Sequence, residues 1–441
     1  MKKIILWLMV IQGALMATQL QEVSINDTKV AVVFEEGGYI PIVSIQLVFE
    51  NAGHLSTKID GLADMSAKLL NEGTAKDGSI GFATKLDDHA IDIAVHVGRE
   101  SLVIEVSALK SEFAYAVEQL VALLKDPNYT QEALGHIKHQ KMGWLTQKKS
   151  DFDYIAATAL RETLFKGEAL AKPYDGTVQS IEKMTVQDIQ TFIQTHLGYN
   201  NVIAVVGGDI RFAEAESYLK EILVLLPKVE TEPVEMISVS DKKTLVLLEE
   251  ETEQSNIFFG APFDYDYSQK DQYKAKIAEY LLGGGGFGSR LMEEIRVKRG
   301  LTYGVYASLR RTKSASYLSG SLQTKLSTQD EAKALIQQVV DDFVNKGITA
   351  KELEDTKKFL LGSEPLRTET LSQRLGRAYS HYYYDRPLDF STQQLEKIAS
   401  VSLEEMNTFI TSHKELSHIS FAIVTKKSTD KKEQEDKKEE K

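Results

Sequence analysis

The sequence predicts an α+β fold in two tandem halves, each a mostly antiparallel sheet packed with helices. Three observations predict it. Residues 185–193 (TVQDIQTFI) and 402–410 (SLEEMNTFI) match without a gap. Each opens on a capping box, in which Thr185 or Ser402 and the carboxylate three places on, Asp188 or Glu405, satisfy each other's orphan helix donors. A short apolar strand follows each of them, 202–206 and 419–424. The second observation is that Thr130 and its helix are echoed by Thr349, Glu352 and Phe359, so two ordered matches recur at nearly the same offset, as in an internal duplication. The third is a polar break near mid-chain that holds Pro227 and Pro233, two of the eight prolines. Residues 227–241 read as a linker between halves 18–226 and 242–425.

The first element is a leader. Lys2 and Lys3 precede an apolar run, 4–16, with small residues at Gly13, Ala14 and Ala17. Such a run is short for a membrane span and reads as a signal peptide, 1–17, which implies a periplasmic destination. Strands follow at 30–34 and 42–49, the second alternating Val43, Ile45, Leu47 and Phe49. A helix is expected over 61–70, then a strand pair, 89–94 and 102–107, across a Gly-Arg-Glu turn. Helices are expected over 113–124, after Thr130, and over 153–165 and 185–197. The last segment, 426–441, is a charged, aromatic-free tail expected to be disordered.

A formal net charge of −12 argues against nucleic acid as the main partner, since no excess of Lys and Arg exists to neutralise phosphates. Zero cysteines exclude disulfides, thiolate metal sites and a cysteine nucleophile.

The stretch richest in chemistry is 280–306, YLLGGGGFGSRLMEEIRVKRGLTYGVY. Gly283, Gly284, Gly285 and Gly286 read as a loop, because each glycine costs backbone entropy in a helix or strand. A helix is expected over 289–298, stopped by Gly300, and a strand over 303–309. Arg296 and Tyr303 then project from neighbouring elements, where they could hydrogen-bond the carbonyls of a peptide. The alternative is a surface charge and a core aromatic. The run lacks the Lys-Ser/Thr ending of a phosphate loop.

Together, the tandem halves, the GGG-S-R-L-x-x-E-I-R-x-K-R-G-L-x-Y run and the Gly61-Leu62-Ala63…Gly73-Thr74 helix resemble the M16 peptidases over roughly residues 22–425. The resemblance implies two metallopeptidase-like domains. It also implies a helix bearing H-x-x-E-H, whose histidines hold zinc and whose glutamate activates water. Aligned on the glycine flanks, those positions fall on Asp64, Ala67 and Lys68. A lysine where zinc should sit repels the cation. The helix expected to supply the last ligand, 131–147, has Glu132 alone, at its start. The pair His136 and His139 has no acid beside it, and His54 and the pair His89 and His96 are weaker candidates still; all are read as packed or solvated. By the same resemblance, Arg296 and Tyr303 hold the positions of the pair that grips the substrate backbone, with the glycine loop Gly283–Gly286 handling substrate. The expectation is a zinc-less chain with no cofactor of its own. It would bind peptide for a zinc-bearing M16 partner in a heterodimer. A homodimer, and a non-catalytic scaffold or peptide-binding role, are the alternatives.

Overall fold

The computed structural model describes residues 18–37 and 40–427, so the expected leader and residues 428–441 of the expected tail lie outside the described residues. The first half runs β1 (Gln19–Ile25), β2 (Thr28–Glu36), β3 (Ile42–Glu50), α1 (Leu62–Leu70), α2 (Gly78–Asp88), β4 (Asp92–Val97) and β5 (Ser101–Leu109). It continues with α3 (Phe113–Lys125), α4 (Gln131–Lys148), α5 (Phe152–Leu164), α6 (Val178–Lys183), α7 (Val186–His196), β6 (Val202–Gly208) and α8 (Phe212–Leu223). Its sheet has the order β1-β2-β6-β3-β5-β4, and β2 with β6 is its parallel pair. The alternation in β3 does what it predicts: Val43, Ile45, Leu47 and Phe49 join the core with α1 and α3. β6 is buried along its whole length, which is why it reads as an unbroken apolar run.

The second half runs β7 (Leu245–Glu250), β8 (Gln254–Pro262), α9 (Gln272–Glu279), β9 (Thr302–Arg311) and β10 (Ser316–Lys325). Then come α10 (Gln329–Lys346), α11 (Ala350–Gly362), α12 (Leu371–Tyr383), α13 (Phe390–Ser400), α14 (Leu403–Ser412) and β11 (Ser420–Lys426). The sheet order is β7-β11-β8-β10-β9, again with one parallel pair, β7 with β11. Taken in sequence, β2, β6, β3, β5 and β4 map onto β7, β11, β8, β10 and β9, so the duplication is visible in topology. β1 is the extra strand. The capping boxes at Thr185, Thr349 and Ser402 are all formed.

The halves exchange a helix. α12 lays Leu375, Ala378 and Tyr383 on Val33, Val48, Ile203 and Val205, the face of the first sheet turned away from its own helices. α5 lays Leu160 and Leu164 against Tyr317 and Ala422 of the second sheet. Each leucine so covered is worth about 1.5–3 kcal/mol of burial. A glycine makes room on both sides: a Cβ at Gly207 would sit 2.5 Å from Leu375 Cδ1, and one at Gly260 2.7 Å from Leu164 Cδ1. Polar pins add to this, Arg374 on the buried Glu35 at 2.7 Å and Arg99 donating to Tyr317 Oη at 2.8 Å.

Several expectations change. β1 and α2 carry weak apolar patterns and have no counterpart among the expected elements. His89 lies before β4 rather than in it, and β11 extends through Lys426. The linker is anchored, Ile237 N donating to Ser314 O at 2.7 Å and Ser240 N to Leu164 O at 2.8 Å. The glycine run is not wholly a loop. Tyr280–Gly284 is a π-helical turn continuing α9, and Gly286–Gly288 a 3-10 turn. The expected helix over 289–298 is mostly π-helical too, Met292–Val297.

Candidate functional site

Two places in the fold bear on chemistry: the positions of the lost zinc motif in the first half, and the glycine-rich region in the second.

In the first half α1 begins at Gly61, whose φ of +82° a side chain would strain. It places Asp64 at the wall of the fold and buries Ala67. Lys68 is exposed, so it is not the ammonium that stands in the degenerate site. That group is Lys141, from α4, the helix expected to bring the last ligand. Its side chain is 4 % exposed. Nζ lies 3.0 Å from Asp64 Oδ2 and donates to Asp175 Oδ1 at 3.1 Å. Asp64 Oδ2 accepts no well-aligned hydrogen bond, so its contact with Lys141 is charge on charge rather than directional. The Trp144 ring lies under the ammonium, 4.2 Å from its centroid, and Tyr154 Oη donates to Asp175 Oδ2 at 3.2 Å. Burial holds the His54 imidazole below its ordinary range against the pull of Asp64 and Asp175, which leaves a neutral ring with an unpartnered Nδ1. An internal ammonium between two carboxylates thus occupies the place where a cation would be expected.

The neighbouring edge strand is engaged as well: Asn71, at the end of α1, bonds both backbone groups of Val95 in β4, at 2.9 and 2.8 Å. His136 does gain an acid that the sequence did not reveal, Glu72 at 3.3 Å, while His139 is exposed beside it. His89 pairs with Glu112 at 2.8 Å, and His96 is exposed. Among the described residues no group of three or more His, Asp or Glu side chains is placed to hold a metal ion.

In the second half the π-helical turns press close to β9. A Cβ at Gly283 would come within 2.6 Å of Ala307 Cβ, so glycine lets the helix approach the strand; Gly286 adopts φ +55°. The π-turn Met292–Val297 then returns along β9, Leu301 N donating to Ile295 O at 3.0 Å. π-turns mark functional segments often enough to draw notice here. β9 is an edge strand, and it bulges. Thr302 pairs with Thr324 and Val305 with Leu322, so β9 carries one residue more than β10 between them. Thr302 Oγ1 fixes the bulge, donating to Gln323 O at 2.7 Å and accepting from Gly304 N at 3.2 Å. The bulge re-aims Tyr303, which is 92 % exposed and is therefore no core aromatic.

Arg296, on the π-turn, stacks on Phe287, 4.6 Å from the ring centroid. Among the described residues it makes no ion pair; the nearby Glu294 is paired with Lys298 at 2.6 Å and Arg299 at 2.8 Å. Phe287, in the glycine segment, is 67 % exposed. A lone aromatic among glycines was the signal that could have singled it out.

Arg290 braces this region by a fork on Glu352, Nε to Oε1 at 2.6 Å and Nη2 to Oε2 at 2.9 Å. Burial alone would raise the Glu352 carboxyl, but Arg290 and the Thr349 cap outweigh it and hold it at about 2, against an ordinary 4.5. A depressed carboxyl adds stability above its unfolded value and loses it as pH falls toward the folded one. Glu352→Gln is therefore expected to lower the urea midpoint at pH 7 and to flatten its decline between about pH 4.5 and 2. Parallel declines for the two proteins would contradict it.

A family model described as Peptidase M16 inactive domain matches residues 183–360. A Helicobacter pylori (strain ATCC 700392 / 26695) protein named Non-peptidase homolog YmxG is 42 % identical over 433 residues, 98 % of this chain and 100 % of its own length. The Uncharacterized zinc protease YmxG of Bacillus subtilis (strain 168) is 20 % identical over 353 residues, 79 % of this chain and 84 % of its own. Among solved structures, a peptidase M16 inactive domain from Pseudomonas fluorescens superposes with a TM-score of 0.85 at 23 % identity, covering 93 % of this chain and 98 % of that one. The periplasmic protease PqqL from Escherichia coli gives 0.75 at 12 % identity, covering 93 % of this chain and 46 % of that longer one. These two likenesses speak to the fold alone. The Helicobacter relative and the family model mean that the chain belongs to the M16 peptidase family, in its non-catalytic form.

Proposed function

We propose that this chain is the zinc-less subunit of a periplasmic M16 metallopeptidase, binding and orienting a peptide that a zinc-bearing partner chain hydrolyses. The observation that carries the reading is the contrast between the halves. The zinc-motif side is closed on itself by Lys141. The Arg296–Tyr303 side is braced, with Tyr303 exposed and Arg296 half-buried against Phe287, and neither makes an ion pair or hydrogen bond through its side chain among the described residues. Among those residues Arg296 has only the Phe287 ring against its guanidinium, Tyr303 has an exposed phenol, and β9 has an open edge along which an extended peptide can add its backbone. In the complex these two groups orient the scissile peptide and stabilise charge on its carbonyl oxygen as the carbon becomes tetrahedral. Zinc and the general base come from the partner. The charged-then-apolar leader at 1–17 supports the periplasm, and a periplasmic protease shares the fold.

The test mixes the mature protein with an H-x-x-E-H-bearing M16 chain from the same genome and follows a quenched peptide library, with metal content measured. Each chain is also assayed alone. Turnover that requires both chains, with zinc only in the partner, is the expected result. Silence in the mixture would move the weight to a scaffold or peptide-binding role.

A further inference from the structure

Away from both sites, α9, α12, α13 and the end of β9 line an open cavity of about 380 Å³. Four cations line it, Lys276, Arg311, Arg377 and Arg386, against a single lining carboxylate, Glu364. Glu364 is committed to Arg377. Glu279, behind the wall, takes Nη2 of Arg311 at 3.0 Å, while Nη1 of Arg311 is buried with no hydrogen-bond partner. Arg386 gives one nitrogen to Tyr267 O and stacks near Tyr384 and Phe390, with ring centroids at 4.9 and 4.8 Å. It has no carboxylate partner among the described residues. Lys276 has neither ion pair nor hydrogen bond among them. His381 adds no charge, because burial lowers its imidazole and both ring nitrogens are engaged, by Leu388 O and Ser391 Oγ.

Two positive charges thus remain unmatched on the wall of one cavity, in a chain whose formal net charge is −12. Both Lys276 and Arg386 are half-buried, and leaving a partly desolvated charge unpaired is costly unless something arrives to pair it. Burial accordingly lowers the Lys276 ammonium, with Arg311, Arg367 and Arg377 lowering it further against the single pull of Glu364. We infer that this cavity is an anion site for a small doubly charged oxyanion, phosphate or a dicarboxylate, held by Lys276 and Arg386, with Arg311 adding positive charge to the wall. Guanidinium and ammonium donors on one cavity wall are the chemistry that recognises such groups. The site is separate from Arg296 and Tyr303, so it stands whether or not the peptide-binding reading does.

The test is thermal unfolding of the mature chain titrated with inorganic phosphate or with succinate, ionic strength held constant with chloride. A saturable rise in Tm is expected with at least one of them. A response to phosphate alone assigns a phosphoryl ligand, and a response to succinate alone a dicarboxylate. Lys276→Gln should weaken the apparent Kd about tenfold or more while leaving the ligand-free Tm unchanged or higher, since it removes an unpaired charge. Arg386→Gln should weaken binding likewise, and Lys351→Gln, on the exposed side of α11, should not. No saturable rise with either anion, or a rise that Lys276→Gln keeps, would overturn the assignment.

Discussion

In a pair reconstituted with a zinc-bearing M16 chain, Arg296→Ala or Tyr303→Phe is expected to lower kcat/KM about 100-fold, the usual effect of removing one donor aimed at a developing oxyanion. Neither change should unfold the protein. The Tyr303 ring is almost wholly in solvent, and Arg296 is tied only to the exposed face of Phe287. The two variants should differ in how the loss divides. A phenol that meets the carbonyl oxygen only as it gains charge affects kcat and leaves KM nearly as it was. A guanidinium that grips the peptide backbone in the ground state as well raises KM. Steady-state kinetics of the mixture over a range of peptide concentrations, with circular dichroism of each variant, separates these outcomes. Unchanged turnover in both variants would sink the role given to this pair.

How far the sequence carried the fold follows the range of the interactions involved. The capping boxes at Thr185 and Ser402 were legible because their partners lie three residues away. The alternation of β3 was legible because one face is core. β1 was not: it is an edge strand, its pattern mostly exposed, with little apolar content to announce it. The π-turns were hidden behind four glycines, which locally favour a loop. What requires glycine at 283 is its close approach to Ala307, on a strand more than twenty residues further along the chain. Tyr303 had two readings until the bulge in β9 chose between them, and a bulge depends on the register of two strands. The absence of the zinc ligands could be read off the helix at 61–70. The identity of what replaced them could not, since Lys141, Asp64 and Asp175 meet only in the folded chain.

That replacement makes the strongest prediction about stability. Lys141→Ala is expected to destabilise the protein by about 3 kcal/mol, the range found when one partner of a buried ion pair is removed. Two carboxylates would then face each other without the cation between them, their side chains 20 % and 17 % exposed. The contact of the ammonium with Trp144 is lost as well. Lys68→Ala, at the aligned motif position but exposed, should change stability by no more than about 0.5 kcal/mol. The double variant Lys141→Ala with Asp64→Asn should recover part of the loss, because the repulsion, rather than the missing side-chain volume, is what it relieves. Urea unfolding of the wild type and the three variants at neutral pH measures all of these. A loss for Lys141→Ala under about 1 kcal/mol, or a double variant weaker than the single one, would mean that the degenerate site is held together by its packing and not by its internal cation.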